Sequence, residues 1–223
     1  MEHLAVILDG NGRWAVNRGR DRSQGYRYGA EALVRLLEDF MSLPILVLTV
    51  YAFSTENNSR NNDEVSNIYS VIASFLLKNV FPFCLKNNVA LRFIGDIDNL
   101  PEKVKDIVKK TEIKNGIKTF VVALNYGGIN EVCRAVNKFF ERKRSKITEK
   151  DILLSLDTGT LPPPDAVIRY GGYKRMSNFL PLQSVYSELF FIDKLWPDYE
   201  RNDIVNVLND FLKIKRNFGG NNA

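Results

Sequence analysis

One near-continuous apolar run, Ile45 to Phe53, constrains the fold of this chain more than any other feature. A strand buried on both faces of a parallel sheet reads this way, whereas a half-exposed strand alternates apolar and polar residues. The surrounding pattern agrees. Leu4 to Leu8 is a short apolar strand, and Tyr26, Ala30, Leu33, Leu37 and Met41 recur at helical spacing until Pro44 stops the helix. Asn62 or Asp63 is expected to cap a helix carrying Val65, Ile68, Ile72, Phe75, Leu76 and Val80, which Pro82 ends or kinks. Val89 to Ile94, Thr119 to Asn125, Asp165 to Arg169 and Leu189 to Ile192 read as further strands. Leu100-Pro101-Glu102 opens a helix, Asn130 caps one through Phe140, and Thr148 caps one over Glu149 to Leu156. A last amphipathic helix spans Asn202 to Arg216, and the tail 219–223 is expected to fray. This alternation predicts an α/β chain with a mostly parallel sheet flanked by helices. With 223 residues and no internal repeat or linker, one domain over 1–223 is expected.

Parallel sheets bind ligands at the carboxyl ends of their strands. The polar motifs of this chain fall there: Asp9 to Arg13 after the first strand, Ser54 to Arg60 after the second, Asn125 to Gly128 after the fourth, and Arg169 to Ser177 after the fifth. The segment Ile7 to Ala15 joins a strand to Asp9, a turn at Gly10 and Gly12, and Arg13. Glycines let the backbone approach a ligand, the following helix start offers N–H groups to an anion, and an arginine fork suits phosphate oxygens. A carboxylate beside a phosphate is repulsive unless Mg²⁺ bridges the two. The segment therefore reads as a metal–diphosphate site. Gly10 to Ala15 also fits a dinucleotide fingerprint formally. However, the second strand ends at Tyr51-Ala52-Phe53-Ser54 without the required acid, and Arg13 and Trp14 crowd the turn.

Arg13, Arg22, Arg60, Arg169 and Arg175 together suggest a polyanion site. The single histidine, His3, reads as a structural residue beside the first strand, so triad chemistry is disfavoured and metal-assisted chemistry on a diphosphate fits better. A net charge of +5 suits anionic ligands without requiring nucleic acid, and none is expected. The one tight basic cluster, Arg142-Lys143-Arg144, reads as a solvated helix end. Cys84 and Cys133 read as buried free thiols of a reducing compartment. No apolar run reads as long enough to span a bilayer, and no signal peptide precedes the first strand. A soluble protein is expected, in the plastid stroma if a transit peptide has been removed and otherwise in the cytoplasm.

The motifs resemble those of the cis-prenyltransferase family, which includes undecaprenyl, neryl and (Z,Z)-farnesyl diphosphate synthases. The resemblance spans nearly the whole chain. It rests on DGNGRWA at 9–15, YAFSTEN at 51–57, NNVALRFIGD at 87–96, ALNYGG at 123–128, IR at 168–169 with GG at 171–172, RMSNF at 175–179, ELFF and LWPD within 188–198, and NFGG at 217–220. It implies a homodimer with a six-stranded, mostly parallel sheet and a hydrophobic tunnel between sheet and helices. It also implies that Asp9 holds Mg²⁺ and the allylic diphosphate, with Gly10, Asn11, Gly12, Arg13 and Arg22 on that diphosphate. Ser54 and Asn57 would lie beside the reacting carbons, and Arg169, Arg175 and Ser177 would grip the second diphosphate. Glu188 matches an acid that reaches the metal or the partner's site across the dimer. Arg60, Tyr26 and Trp14 would support the site.

Several positions depart from the family pattern. Tyr26 follows Gly25 where a histidine is usual, and Glu56-Asn57-Asn58-Ser59-Arg60-Asn61 lacks the usual tryptophan and proline. Ile129 replaces an arginine, Tyr170 a small hydroxyl residue, and Tyr173 an acid, while Phe179-Leu180-Pro181-Leu182-Gln183 lacks a tryptophan. These changes resemble the irregular branch that makes lavandulyl-type skeletons. They imply head-to-middle coupling of two dimethylallyl diphosphates to a branched ten-carbon diphosphate. The main alternative is head-to-tail cis condensation with isopentenyl diphosphate, giving neryl, (Z,Z)-farnesyl or longer products. Bulky Tyr69, Phe75 and Phe81 on the tunnel helix are consistent with a short product. A noncatalytic partner subunit and a dehydrogenase are more distant alternatives; intact Asp9 and arginines oppose the first.

Overall fold

The structure is a computed structural model that describes residues 1–142 and 146–217. Lys143, Arg144, the Arg142 side chain and the tail from 218, with most of its NFGG motif, lie outside the described residues. The strands are β1 (His3–Ile7), β2 (Val47–Ser54), β3 (Val89–Ile94), β4 (Lys118–Tyr126), β5 (Ala166–Arg169) and β6 (Glu188–Phe191). They form one six-stranded sheet in the order β3-β4-β2-β1-β5-β6. Every pairing is parallel, so the expected mostly parallel sheet is fully so. The central run earns its apolar character: Val47 to Tyr51 of β2 are all buried between β1 and β4.

The helices are α1 (Asn11–Val16), α2 (Gln24–Ser42), α3 (Asn62–Phe75), α4 (Phe81–Lys86), α5 (Glu102–Thr111), α6 (Gly128–Arg142), α7 (Glu149–Ser155) and α8 (Arg201–Phe211). One apolar cluster joins α2, α3, α5 and α8 to a sheet face through residues such as Leu36, Phe40, Ile68, Val104 and Ile204. A smaller cluster on the other face gathers Tyr51, Tyr126, Phe179 and Leu180.

Local departures from the sequence reading have identifiable causes. Asn61, one residue earlier than expected, caps α3 by accepting from the Asp63 N–H at 2.8 Å. Helix α6 begins at Gly128, so Asn130 lies inside it and accepts from Arg134 instead of capping. Helix α8 stops at Phe211, five residues short of Arg216, whose guanidinium pairs with Asp165 at 2.6 Å. Thr148 caps α7 as expected, in a reciprocal box with Asp151. Cys84 is buried but Cys133 is exposed, which corrects the expectation of two buried thiols. Pro82 does not end its helix, because a π turn over Leu76–Val80 carries α3 into α4 and leaves the proline at the start of α4. The joined helix Asn62–Lys86 is long and apolar enough, by length and composition, to cross a membrane. The sequence reading missed it because Ser, Asn and Lys interrupt the run. Ile68, Tyr69, Ala73, Leu76, Val80 and Cys84 of this helix belong to the main core cluster.

Candidate active site

The site forms where β1, β2 and β5 end side by side. Chain order reverses across these neighbouring strands, since β2 lies on one side of β1 and β5 on the other. Ile7 of β1 pairs with Arg169 of β5, so Asp9 leaves the sheet next to the Arg169 guanidinium. Gly10 then turns with φ +108°, a conformation that side-chain-bearing residues rarely adopt, and α1 begins. Helix α2 presses on this turn. A Cβ at Gly29 would stand 1.9 Å from the Asn11 side-chain oxygen, so only glycine admits Asn11 there. Asn11 Nδ2 donates to the Leu8 carbonyl at 2.9 Å. Beyond Tyr51, β2 carries an irregularity in its pairing with β4 that spans Ala52. Such a bulge re-aims the side chains that follow. Ser54 comes next, its N–H donating to Asn57 Oδ1 at 3.2 Å.

These elements enclose a cavity of about 720 Å³. It brings together Asp9, Gly10, Asn11, Gly12, Arg13, Arg22, Tyr26, Ser54, Asn57, Arg60, Arg169, Arg175 and Ser177. Asp9 lies at the centre of the charge: Oδ2 accepts from Arg169 Nη2 at 2.8 Å, and Oδ1 lies 3.3 Å from Arg13 Nη2. Arg169 is 5% exposed and also donates to Ser177 Oγ at 2.7 Å and to the Arg175 carbonyl at 2.6 Å. Arg13 donates to the Gly171 carbonyl at 2.9 Å. Ser177, Asn178 and Leu180 all take positive φ values. This strained backbone is held by Asn178, which donates to Glu56 and accepts from the N–H groups of Ile129 and Gly128. The loop after β4 therefore buttresses the site and does not line it.

A second cluster guards the opposite wall. The Tyr26 hydroxyl donates to Glu64 Oε1 at 2.5 Å and accepts from Arg60 at 2.9 Å. Arg60 and Arg22 also pair with Glu64, at 3.0 and 3.3 Å. The Tyr26 hydrogen bond, helped by Arg60 and Arg22, holds the Glu64 carboxyl below its ordinary range despite the opposing effect of burial. Burial, then the Glu64 contact, raises the Tyr26 phenol. Tyr26 also borders a narrower apolar pocket of about 90 Å³, lined by Leu33, Ile68, Val71, Ile72, Phe75 and Val80 among others. This pocket lies between the sheet and helices α2 and α3, and of Tyr69, Phe75 and Phe81 only Phe75 lines it.

Two expected residues fall outside the cavity. Trp14 is buried behind it, donating to Asp198 at 2.6 Å and packing on Tyr28, so it anchors α1. Glu188 pairs with Ala166 at the start of β5, three residues before Arg169. At about 3.3 Å per residue it is roughly 10 Å from the site level of its own sheet. Conversely, Glu64, Asn178 and Glu56 escaped the sequence reading. Glu64 sits in the first turn of α3, and only the fold sets it against Arg22 and Arg60.

For a bound cation, the cavity offers Asp9 as an oxygen ligand at a strand end. Among the described residues no cluster of three or more His, Cys, Asp or Glu could form a metal cage. This donor set fits Mg²⁺, which takes one or two carboxylates together with substrate phosphates and water.

Comparison with known proteins agrees with the geometry. The family profile described as "Putative undecaprenyl diphosphate synthase" matches residues 7–219. An isoprenyl transferase of Treponema denticola is 38% identical over 98% of this chain and 97% of its own. One from Fusobacterium nucleatum is 40% identical over 98% and 96%. Among solved structures, lavandulyl diphosphate synthase from Lavandula x intermedia, in complex with dimethylallyl diphosphate, superposes with a TM-score of 0.91 at 29% identity, covering 98% of each chain. A probable undecaprenyl diphosphate synthase from Campylobacter jejuni gives 0.81 at 30% identity, covering 99% of each. The chain belongs to the undecaprenyl diphosphate synthase family and is a cis-prenyltransferase, an enzyme that makes prenyl diphosphates.

Proposed function

We propose that this enzyme condenses an allylic diphosphate with isopentenyl diphosphate, head-to-tail and in cis. The observation that carries condensation of two prenyl diphosphates is one cavity that gathers five arginines and opens on an apolar pocket. Relatives at 38 to 40% identity that are named isoprenyl transferases favour this regiochemistry over the branched coupling implied by the departures. In this reading Asn11, Gly12, Arg13 and Arg22 bind the allylic diphosphate, while Arg169, Arg175 and Ser177 bind the second. Asp9 would hold Mg²⁺, which supplies charge neutralisation to the departing diphosphate. The arginines add fixed positive charge where negative charge grows as the carbon–oxygen bond breaks. The double bond of the second substrate attacks the allylic carbon, and loss of a proton restores a double bond. Ser54 and Asn57 border the reacting atoms. The apolar pocket takes the hydrocarbon chain and excludes water that would trap the cation.

The small volume of the apolar pocket, lined by Ile72, Phe75, Leu76 and Val80 among others, supports a short product. A homodimer joined along the β6 edge is part of the proposal, because Val185, Tyr186 and Leu189 beside Glu188 are exposed. In that dimer the partner subunit's Glu188 would serve the site. Head-to-middle coupling is the second reading, favoured by the TM-score of 0.91 to lavandulyl diphosphate synthase. Labelled isopentenyl diphosphate tests the main proposal: label should enter product only when an allylic primer and Mg²⁺ are both present. Absence of incorporation from every primer would reject it.

A further inference from the structure

Three arginines of the cavity converge on a single ring. The guanidinium carbons of Arg175, Arg13 and Arg169 lie 4.1, 4.6 and 5.7 Å from the centroid of Tyr173. The ring is 42% exposed and forms part of the cavity wall. The three arginines are not held equally. Arg169 is fixed by Asp9, Ser177 and a backbone carbonyl, and Arg13 by Asp9 and Gly171. Among the described residues, the Arg175 guanidinium makes no hydrogen bond or ion pair and rests on the Tyr173 face alone.

An aromatic face attracts a cation without neutralising it. A carboxylate at the same place would also collect the arginines, but it would cancel charge that an arriving anion needs. A ring gathers the three cations, keeps their charge available and opposes their mutual repulsion. We infer that Tyr173 is a positioning residue that presets Arg175, and secondarily Arg13, for diphosphate. The inference rests on the proposed assignment of Arg175 to the second diphosphate. It goes beyond that assignment by naming what aims the arginine before substrate arrives.

Calorimetric binding of inorganic pyrophosphate tests the positioning role without any prenyl chemistry. Tyr173→Leu should weaken pyrophosphate binding about fivefold, whereas Tyr173→Phe, which keeps the face, should stay within about twofold of the parent. Tyr173→Leu added to Arg175→Ala should weaken binding less than it does alone, since the main cation it aims is gone. Melting temperatures should hardly move, because the ring is partly exposed. An unchanged affinity in Tyr173→Leu, or an equal loss in Tyr173→Phe, would overturn the inference. The substrate assignment is read separately: KM for the second substrate should rise in Tyr173→Leu with kcat nearly constant. If pyrophosphate binding responds but that KM does not, the assignment of Arg175 fails while the positioning role stands.

Discussion

The carboxylate of Asp9 accepts a 2.8 Å hydrogen bond from Arg169, an arginine that is 5% exposed at the end of the adjacent strand. Its other oxygen faces Arg13. The acid proposed to hold a cation is thus already shared between two proposed diphosphate ligands. Arriving diphosphate can take over the arginines and leave Asp9 for Mg²⁺. Asp9→Asn keeps an acceptor for Arg169 but removes the charge. It should lower kcat by a factor on the order of 10² to 10³, with stability falling by about 1 kcal/mol. Pyrophosphate binding in the absence of Mg²⁺ should persist. Steady-state kinetics with calorimetry check this, and near-normal kcat would remove Asp9 from the metal role.

Glu64 holds Arg22 and Arg60 in the absence of diphosphate. It therefore competes with the allylic diphosphate for Arg22. Glu64→Gln should lower KM for the allylic substrate about threefold, by removing one competing negative charge. A raised KM would mean that Glu64 aims these arginines and does not restrain them.

Gly29 gives Asn11 its place, since a Cβ there would overlap the Asn11 side chain. Gly29→Ala should displace Asn11 and reduce kcat/KM at least tenfold. The helix itself should tolerate or welcome alanine. Circular dichroism should show unchanged helix content alongside the kinetic loss. Unchanged kinetics would show that the Asn11 side chain is dispensable for diphosphate binding.

His3 predicts a pH dependence of stability far from the site. Nδ1 lies 2.7 Å from the Pro162 carbonyl, which can only accept, so Nδ1 carries the proton and Nε2 accepts from Thr49 at 2.8 Å. Burial lowers its pKa from 6.5 to about 4. The unfolded chain therefore binds the extra proton first as pH falls. Stability from the neutral ring is complete above pH 6.5 and declines toward pH 4, by about 3 kcal/mol in all. Urea unfolding between pH 7 and 4 should show this slope, and His3→Gln should flatten it. An equal slope in both proteins would locate the titrating group elsewhere.

Much of this arrangement was legible in the chain. The alternation of apolar runs with helical spacing conveyed a parallel sheet, and position after strands placed Asp9, Ser54 and Arg169 at one end of it. Contacts between distant segments were not legible. Nothing local tells that Glu64 of α3 meets Arg22 in the turn before α2, or that Asn178 braces a strained loop against Glu56. Helix ends also escaped where a side-chain cap competes with its neighbours, as at Asn61. Glu188 carries a family motif, yet its strand register sets it at the far end of β6 from the site of its own chain. A single chain's sequence does not encode that geometry locally.

The most direct test of the central claim supplies the purified enzyme and Mg²⁺ with dimethylallyl diphosphate alone, and then with isopentenyl diphosphate added. Products are dephosphorylated and identified by gas chromatography–mass spectrometry. Head-to-tail condensation predicts no coupled product from the first incubation and linear cis alcohols from the second. A branched ten-carbon alcohol from dimethylallyl diphosphate alone would contradict it and establish head-to-middle coupling.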